Sequence, residues 1–515
     1  MLSRILPSGS QRGAIFNIAS ATLGAGALGL PYAFKQAGFL LTLLCLAVTS
    51  LTTVFSIRLL LTTSRVASDR RRVTVDSYED LAGEIFGGRM RRLVEAMMIV
   101  FCFGTAVAYC VAVGDILEPV RVLDFMPDAM RSHEHGRTLT MALFWAALML
   151  PLSLLRSVNS LQFSSFLGVA AILVLVFAVV YHCILNRFID GWDCTDASRH
   201  RKCVAELEAV RFDLEAVSSL PLIMFAFTCQ VNVYDIYREL QNPSERKMMR
   251  VSWMGIAGIC MTVYSVVGLF AYLDFQETVE GNILKNLEYL VGHDLVITSA
   301  FGCMALTVVV AFPLVVFPCR ESLFSVLRAP KSSTDRDNLI DLFRTGPPEL
   351  RASVVVGPSA RKATSAFCSP ATEPARQSEA SKALVGPAEQ PLLSEELSLD
   401  FVLPEYPLSA ENYYVPPAPS RVYKKPSAVQ HYAVSLAISV GAILVAVFVP
   451  KIQTVFSLLG GVCSSFLCFV FPALCAKRLG ACRSSTWEVA LTELLLWGGV
   501  VAGMGSTALT LYSGL

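Results

Sequence analysis

Charge is scarce in this sequence. Only 16% of its 515 residues are Asp, Glu, Lys or Arg, against about 25% in ordinary soluble domains. The charges nearly cancel, 42 basic against 41 acidic, so the electrostatic footprint of a nucleic-acid binder is missing. Histidine is scarce too, at 6 residues, and Cys463 and Cys468 share no metal-ligand spacing with any of them. No Asn-x-Ser/Thr sequon occurs, and N-glycosylation is not expected. HExxH, Walker A and GxSxG arrangements do not occur in a suitable context. No enzyme, metal site or resident cofactor is expected.

What the chain has in abundance is apolar surface: 54% hydrophobic residues and a mean hydropathy of +0.56. Length alone would suggest roughly three soluble domains. Apolar runs of about 20 residues, enough to cross a bilayer, recur from end to end and overrule that reading. A soluble enzyme, a secreted disulfide scaffold and a disordered regulator are excluded. The fold class is an all-α polytopic membrane protein, embedded in a lipid bilayer.

Eleven spans are predicted, over 13–34, 38–61, 93–120, 138–155, 159–185, 213–238, 249–273, 294–326, 428–449, 453–476 and 487–511. The short segment before the first run has no features of a cleaved signal, and that run is kept as a helix. With the N-terminus inside, the short inner segments hold about 17 Lys and Arg and the outer ones about 11, which orients the chain. The inner loop 62–92 contributes most, and the outer loop 186–212 dissents with Arg187, Arg199, Arg201, Lys202 and Arg211. Cys194 and Cys203 in that outer loop form either a disulfide or two free thiols. The remaining cysteines lie mostly in apolar runs and act as small hydrophobes.

Three regions follow: spans one to eight in 1–327, a linker over 328–427, and spans nine to eleven in 428–515. The linker holds 14 of the 25 prolines, 12 acidic and 12 basic residues, with no sustained period. Such a composition buries too little apolar surface to fold, so a disordered cytosolic loop is expected, able to meet sorting or signalling partners. Within it, Glu389-Gln390-Pro391-Leu392-Leu393 loosely resembles an acidic dileucine sorting signal.

Two spans carry interruptions in matching places. The first contains Gly24-Ala25-Gly26, then Gly29 and Pro31; the sixth contains Thr228-Cys229-Gln230-Val231-Asn232 inside an apolar stretch. Small residues also serve plain helix packing, and Gln230 and Asn232 could serve as interhelical glue. Position discriminates. If 13–185 is one repeat and a second begins at 213, each half opens with an interrupted helix, the best sequence pointer to a transporter binding site. The count then reads five, five and one. An unwound segment exposes N–H groups at the start of its second half and C=O groups at the end of its first. Amides near Gly24, Ala25 and Gly26 are therefore expected to take a carboxylate. Carbonyls at Ala21, Thr22 and Leu23 and at Phe225, Ala226 and Phe227, beside Thr228, would take an ammonium.

GAIFNIASATLGAGALGLPYAF (13–34) and MFAFTCQVNVYDIYREL (224–240) resemble the first and sixth helices of the amino acid/auxin permease family. FGTAVAYCVAVGDIL (103–117) is similar to its third helix and FPLVVFPCRESLF (312–324) to the inner end of its eighth. The motif style is nearest to permeases of kinetoplastid protozoa. The resemblance implies a LeuT-type 5+5 inverted repeat plus one helix, and secondary active transport of an amino acid substrate. In the sodium-coupled relatives an Asn of the first helix and a Thr of the eighth help hold sodium. Here Ser20 and the run Val308–Ala311 stand in those places, so coupling to protons, or none, is expected rather than sodium.

Other polar residues are weighed in the same way. Asp115 and Glu118 are expected as charges at the outer interface. Asp235, at depth in the sixth span, is a candidate proton carrier, and Glu239 an inner gate beside Arg238. His182 is expected to pack near the outer end of the fifth span, and Tyr109 and Phe227 to serve either as aromatic lids over the substrate or as plain bundle packing. The break segments hold no Asp or Glu, which favours neutral amino acids. An amino acid sensor signalling through 328–427 is the alternative, and a channel or seven-helix receptor fits the span count poorly. Cell surface and acidic organelle remain equal readings of location.

Overall fold

A computed structural model describes residues 9–71, 75, 77–121, 136–155, 161–186, 207–328, 427–449, 451–481 and 485–514. Cys194, Cys203 and the linker between Arg328 and Ser427, with its dileucine-like motif, lie outside the described residues.

Every regular element among the described residues is a helix. The first span is two helices, α1 (Gln11–Thr22) and α2 (Gly26–Ala37). Next come α3 (Phe39–Arg71), α4 (Tyr78–Phe86) and α5 (Gly88–Arg121). Then α6 (Gly136–Phe144) runs through a π turn into α7 (Leu150–Ser153), followed by α8 (Leu161–Ile184). The sixth span is α9 (Leu214–Ala226) and α10 (Val233–Glu239), and the seventh is α11 (Glu245–Ser252) and α12 (Met261–Phe275), joined by a π segment. Short α13 (Ile283–Leu287) precedes α14 (Leu295–Arg328). The last spans are α15 (Ala428–Phe448), α16 (Ile452–Leu458) joined by π turns to α17 (Phe471–Leu479), and α18 (Thr486–Gly514). Polar residues set several starts: Ser10, Ser77, Asp213, Ser244 and Ser427 each accept an N–H three residues on.

Nine helices among the described residues are long and apolar enough to cross a membrane, and the bent pair α1–α2 makes a tenth. The chain is a multi-pass integral membrane protein. The fourth expected span, 138–155, is not among these ten. It is a composite of 9, 5 and 4 residues. Pro151 supplies no N–H to the carbonyl one turn back, and the helix widens into its π turn just before it.

The inner loop 62–92 also differs from expectation, because it contains α4. Tyr78, Leu81, Ala82 and Ile85 lie at helical spacing on its buried face. The Tyr78 hydroxyl donates to the Leu467 carbonyl at 2.7 Å, and its ring meets Tyr234 and Phe471. The inner half of the sixth span thus rests on the loop and on the tenth span.

At the outer end the segment 279–287 folds inward, with Val279, Ile283, Leu284 and Leu287 buried. Asp115 holds it. Far from sitting at the interface as the sequence suggested, its side chain is 1% exposed. It accepts from Arg137 at 3.0 Å and Asn282 at 3.0 Å, and pairs with Lys285 at 3.2 Å. The pair is buried because α13 carries Lys285 and Asn282 down onto the end of α5, a long-range contact that hydropathy does not encode. Outer Arg211, part of the charge that dissented from the topology, is neutralised by Glu208 at 2.5 Å and Glu277 at 2.7 Å. The Arg211 guanidinium holds the Glu208 carboxyl below the usual carboxylate range.

Removing one side of a buried pair strands the other and costs about 3–5 kcal/mol. Asp115→Ala is expected to lower the midpoint of thermal unfolding in detergent by a corresponding margin. An unchanged midpoint would show that the cluster does not hold the outer end.

Candidate functional site

The two interrupted helices meet at their breaks. α1 ends at Thr22, and its chain turns through Leu23, Gly24 and Ala25 before α2 leaves at 59°. Gly24 N–H donates to the Thr22 carbonyl at 2.9 Å, while Ala27 and Leu28 donate to the Gly24 and Ala25 carbonyls at 3.2 and 3.0 Å. The amides of Ala25 and Gly26 are left at the head of α2, where a helix has no intrahelical acceptor for them. In the sixth span, Phe227 and Thr228 close α9 with bonds back to Ile223 and Phe225, and Gln230–Asn232 form a single 3₁₀ turn before α10.

Gly26 is required by proximity. A Cβ there would stand 2.9 Å from Ala226 Cα, inside contact distance, so α2 and α9 touch backbone to backbone. At Gly24 a Cβ would find only the Tyr109 hydroxyl, at 3.8 Å. One residue of the pair packs helices; the other faces space.

Tyr264 of α12 spans both breaks. Its buried hydroxyl lies 2.5 Å from the Thr22 carbonyl and 2.9 Å from that of Ala226. The Phe227 ring stands edge-on to Tyr264 at 5.3 Å. Beneath, the Thr228 hydroxyl donates to the Met224 carbonyl and meets Ser464 at 2.6 Å, and the Gln230 side-chain oxygen Oε1 accepts from Cys229 N–H and Cys468 Sγ. The Gln230 amide nitrogen is buried with no partner among the described residues.

A cavity of about 870 Å³ runs from the first break toward the inner face. Its wall includes Ser20, Leu23, Gly24, Ala25 and Tyr109, and its inner rim Glu79, Asp80, Arg91, Asp235, Glu239 and Glu321. Among the expected site residues, Thr22, Gly26, Phe225, Ala226, Phe227 and Thr228 stand behind this wall rather than on it. Thr22 spends its hydroxyl on the Ile18 carbonyl, and Phe225 stacks on Phe456 at 4.6 Å. The two carbonyl groups expected to take an amine are thus partly engaged, at Thr22 and Ala226, by Tyr264.

The carboxylates of the sixth span lie at the inner rim of the cavity. The Asp235 side chain is 65% exposed and pairs with Arg238, rather than sitting buried at depth. Glu239 accepts from Asn17 of α1 at 3.2 Å, tying the inner halves of the two broken spans. At the rim, burial pushes the Glu79 carboxyl up from its usual range.

Thr307 is a wall residue that the sequence reading passed over. With Met304, Ala311, Leu314, Pro318 and Glu321 it marks one face of α14 along the cavity, at spacings of three and four. That periodicity was visible in the sequence; which face lined a cavity was not. Thr307 and Ser20 both lie on the wall beside Gly168, which the Ser20 hydroxyl and the Thr307 methyl approach, while the Thr307 hydroxyl donates to the Cys303 carbonyl at 2.9 Å. Among the described residues no three His, Cys, Asp or Glu cluster as a metal site.

Two substitutions separate packing from binding. Gly26→Val overpacks the contact with Ala226 and is expected to cost about 1–3 kcal/mol of stability. Gly24→Val is expected to fold but to bind ligand more weakly, checked by thermal unfolding with and without added amino acids. Tyr264→Phe, which removes the hydroxyl shared by two buried carbonyls, is expected to cost a similar 1–3 kcal/mol; an unaltered midpoint would contradict the bridging role.

Known proteins resemble this chain at several levels. A protein of Toxoplasma gondii (strain Me49) provisionally named amino acid transporter AAT1 is 27% identical over 324 residues, 62% of this chain. The chain matches only 41% of that relative's length. Among solved structures, MhsT in complex with L-phenylalanine aligns over 97% of this chain and 98% of its own at 10% identity, with a TM-score of 0.49. A substrate-bound, outward-open Na+-coupled sialic acid symporter aligns over 97% and 90%, also at 10% identity, with a TM-score of 0.47. The profile of the transmembrane amino acid transporter proteins matches residues 7–514, and the chain belongs to that family.

Proposed function

We propose that this protein is a secondary active transporter that carries amino acids across its membrane by alternating access. The observation that carries the reading is the cavity that ends on a broken helix, with Gly24 and Ala25 on its wall opposite Tyr109. The name of the Toxoplasma relative supports it. A zwitterion suits such a place. The positive end of α2, where Ala25 lies on the wall, takes the carboxylate. The ammonium lies toward the carbonyl end of α1 at Ala21 and Leu23, both on the wall.

Neutral amino acids are the favoured substrates, because the break segments carry no Asp or Glu. Coupling to protons, or none, is favoured over sodium. The positions that hold sodium in sodium-coupled relatives read Ser20 and Val308–Ala311 here, although Thr307 adds one hydroxyl. The membrane is a plasma membrane or that of an acidic organelle.

Purified protein in liposomes, offered a labelled amino acid panel under imposed proton or sodium gradients, tests all of this. The expected result is accumulation of neutral amino acids, driven by an inward proton gradient or merely equilibrating, and unaffected by sodium. Accumulation that requires sodium would overturn the coupling assignment, and no uptake of any amino acid would overturn the function. A chain lacking 330–425 is expected to transport like the full one, as a carrier should and a sensor that signals through that segment should not.

A further inference from the structure

The outer ends of the fifth and seventh spans bury a charge pair that the cavity does not use. Asp274, near the end of α12, has a side chain 1% exposed. One carboxylate oxygen lies 2.5 Å from His182 Nδ1 on α8, and the other accepts from Asn186 Nδ2 at 2.8 Å. The other ring nitrogen, His182 Nε2, stands 3.3 Å from the Tyr289 hydroxyl. The imidazole stacks on Phe275 with centroids 5.7 Å apart. Tyr289 itself is 60% exposed and follows α13, in the segment that folds into the outer end.

This arrangement accepts either protonation state without moving a heavy atom. With Nδ1–H donating to Asp274, a neutral imidazole uses Nε2 to accept from the Tyr289 hydroxyl. A protonated imidazole donates from Nε2 to the Tyr289 oxygen instead. One N–H bond forms, one proton leaves water, and nothing else changes. The buried Asp274 carboxylate stands in direct contact with the ring, at Nδ1. Among the described residues, Arg211 pairs with Glu208 and Glu277, Lys285 pairs with Asp115, and no Lys or Arg pairs with Asp274.

We propose that His182 and Asp274 bind the coupling proton, taken from the outer side past Tyr289. The proposal rests on the proton-coupled form of the reading above and names its site. The pair joins α8 to α12, and Tyr289 joins both to the inward-folded segment, so the site lies between three outer elements.

The test uses the full chain in proteoliposomes with amino acids that the wild type accumulates. Two readouts are compared: exchange of labelled for unlabelled amino acid without any gradient, and accumulation driven by an inward proton gradient. A trapped pH-sensitive dye follows proton arrival. His182→Gln keeps a hydrogen-bonding group but cannot be protonated. It is expected to exchange at the wild-type rate while gradient-driven accumulation and substrate-dependent acidification are lost. Asp274→Asn is expected to move the pH dependence of driven uptake toward acid, because the imidazolium loses its counter-charge. Should His182→Gln fold poorly, Tyr289→Phe removes the Nε2 partner and is expected to shift the same pH profile without abolishing transport. A wild type that responds to the proton gradient beside a His182→Gln variant that responds equally overturns this site alone. Loss of exchange together with driven uptake also overturns it, by assigning the pair a structural role. A wild type indifferent to the proton gradient overturns the coupling reading and the site with it.

Discussion

A helix that stops inside a membrane leaves carbonyls and amides that lipid cannot satisfy, each a loss of several kcal/mol. This protein stops two helices in the same place, and the single Tyr264 hydroxyl stands between their last carbonyls. It lies within hydrogen-bonding distance of the last carbonyls of α1 and α9, and the contact of Gly26 with Ala226 draws the two ends together. The carbonyls are thereby settled on the packed side. At the head of α2 a helix has no intrahelical acceptor for its amides, and Ala25 there borders the cavity.

Buried and solvated charges occur at both ends. At the outer end Asp115 is buried with Arg137 and Lys285, and Asp274 with His182. At the inner end Glu95 is buried against Arg91, while Asp235, Arg238 and Glu321 are exposed around the cavity mouth. Buried pairs hold segments together and solvated ones do little, since exposed ion pairs contribute about 0–1 kcal/mol.

Sequence reading found the features that local composition encodes. Gly24-Ala25-Gly26 and Thr228–Asn232 stood out because glycine and polar residues are costly inside an apolar helix, and the structure breaks both helices there. Ten of the predicted spans reappear for the same reason, and 138–155 fell short where Pro151 interrupts its apolar run. Pairings across the fold were not legible. Nothing local tells that Tyr264 reaches two carbonyls, that Asn282 and Lys285 descend onto Asp115, or that His182 meets Asp274 across 92 residues. The nine-residue α4 was hidden inside a charged loop, although its apolar positions do carry helical spacing.

The central claim is that backbone dipoles at the first break, rather than side-chain ions, hold the substrate. Calorimetric binding to the purified protein tests it most directly, comparing a transported amino acid with its carboxamide and with its N-acetyl form. The account predicts that both modified ligands lose binding while Asp235→Asn and Glu239→Gln bind the parent amino acid as the wild type does. A carboxamide that binds as well as the acid, or binding abolished by either side-chain variant, would contradict it.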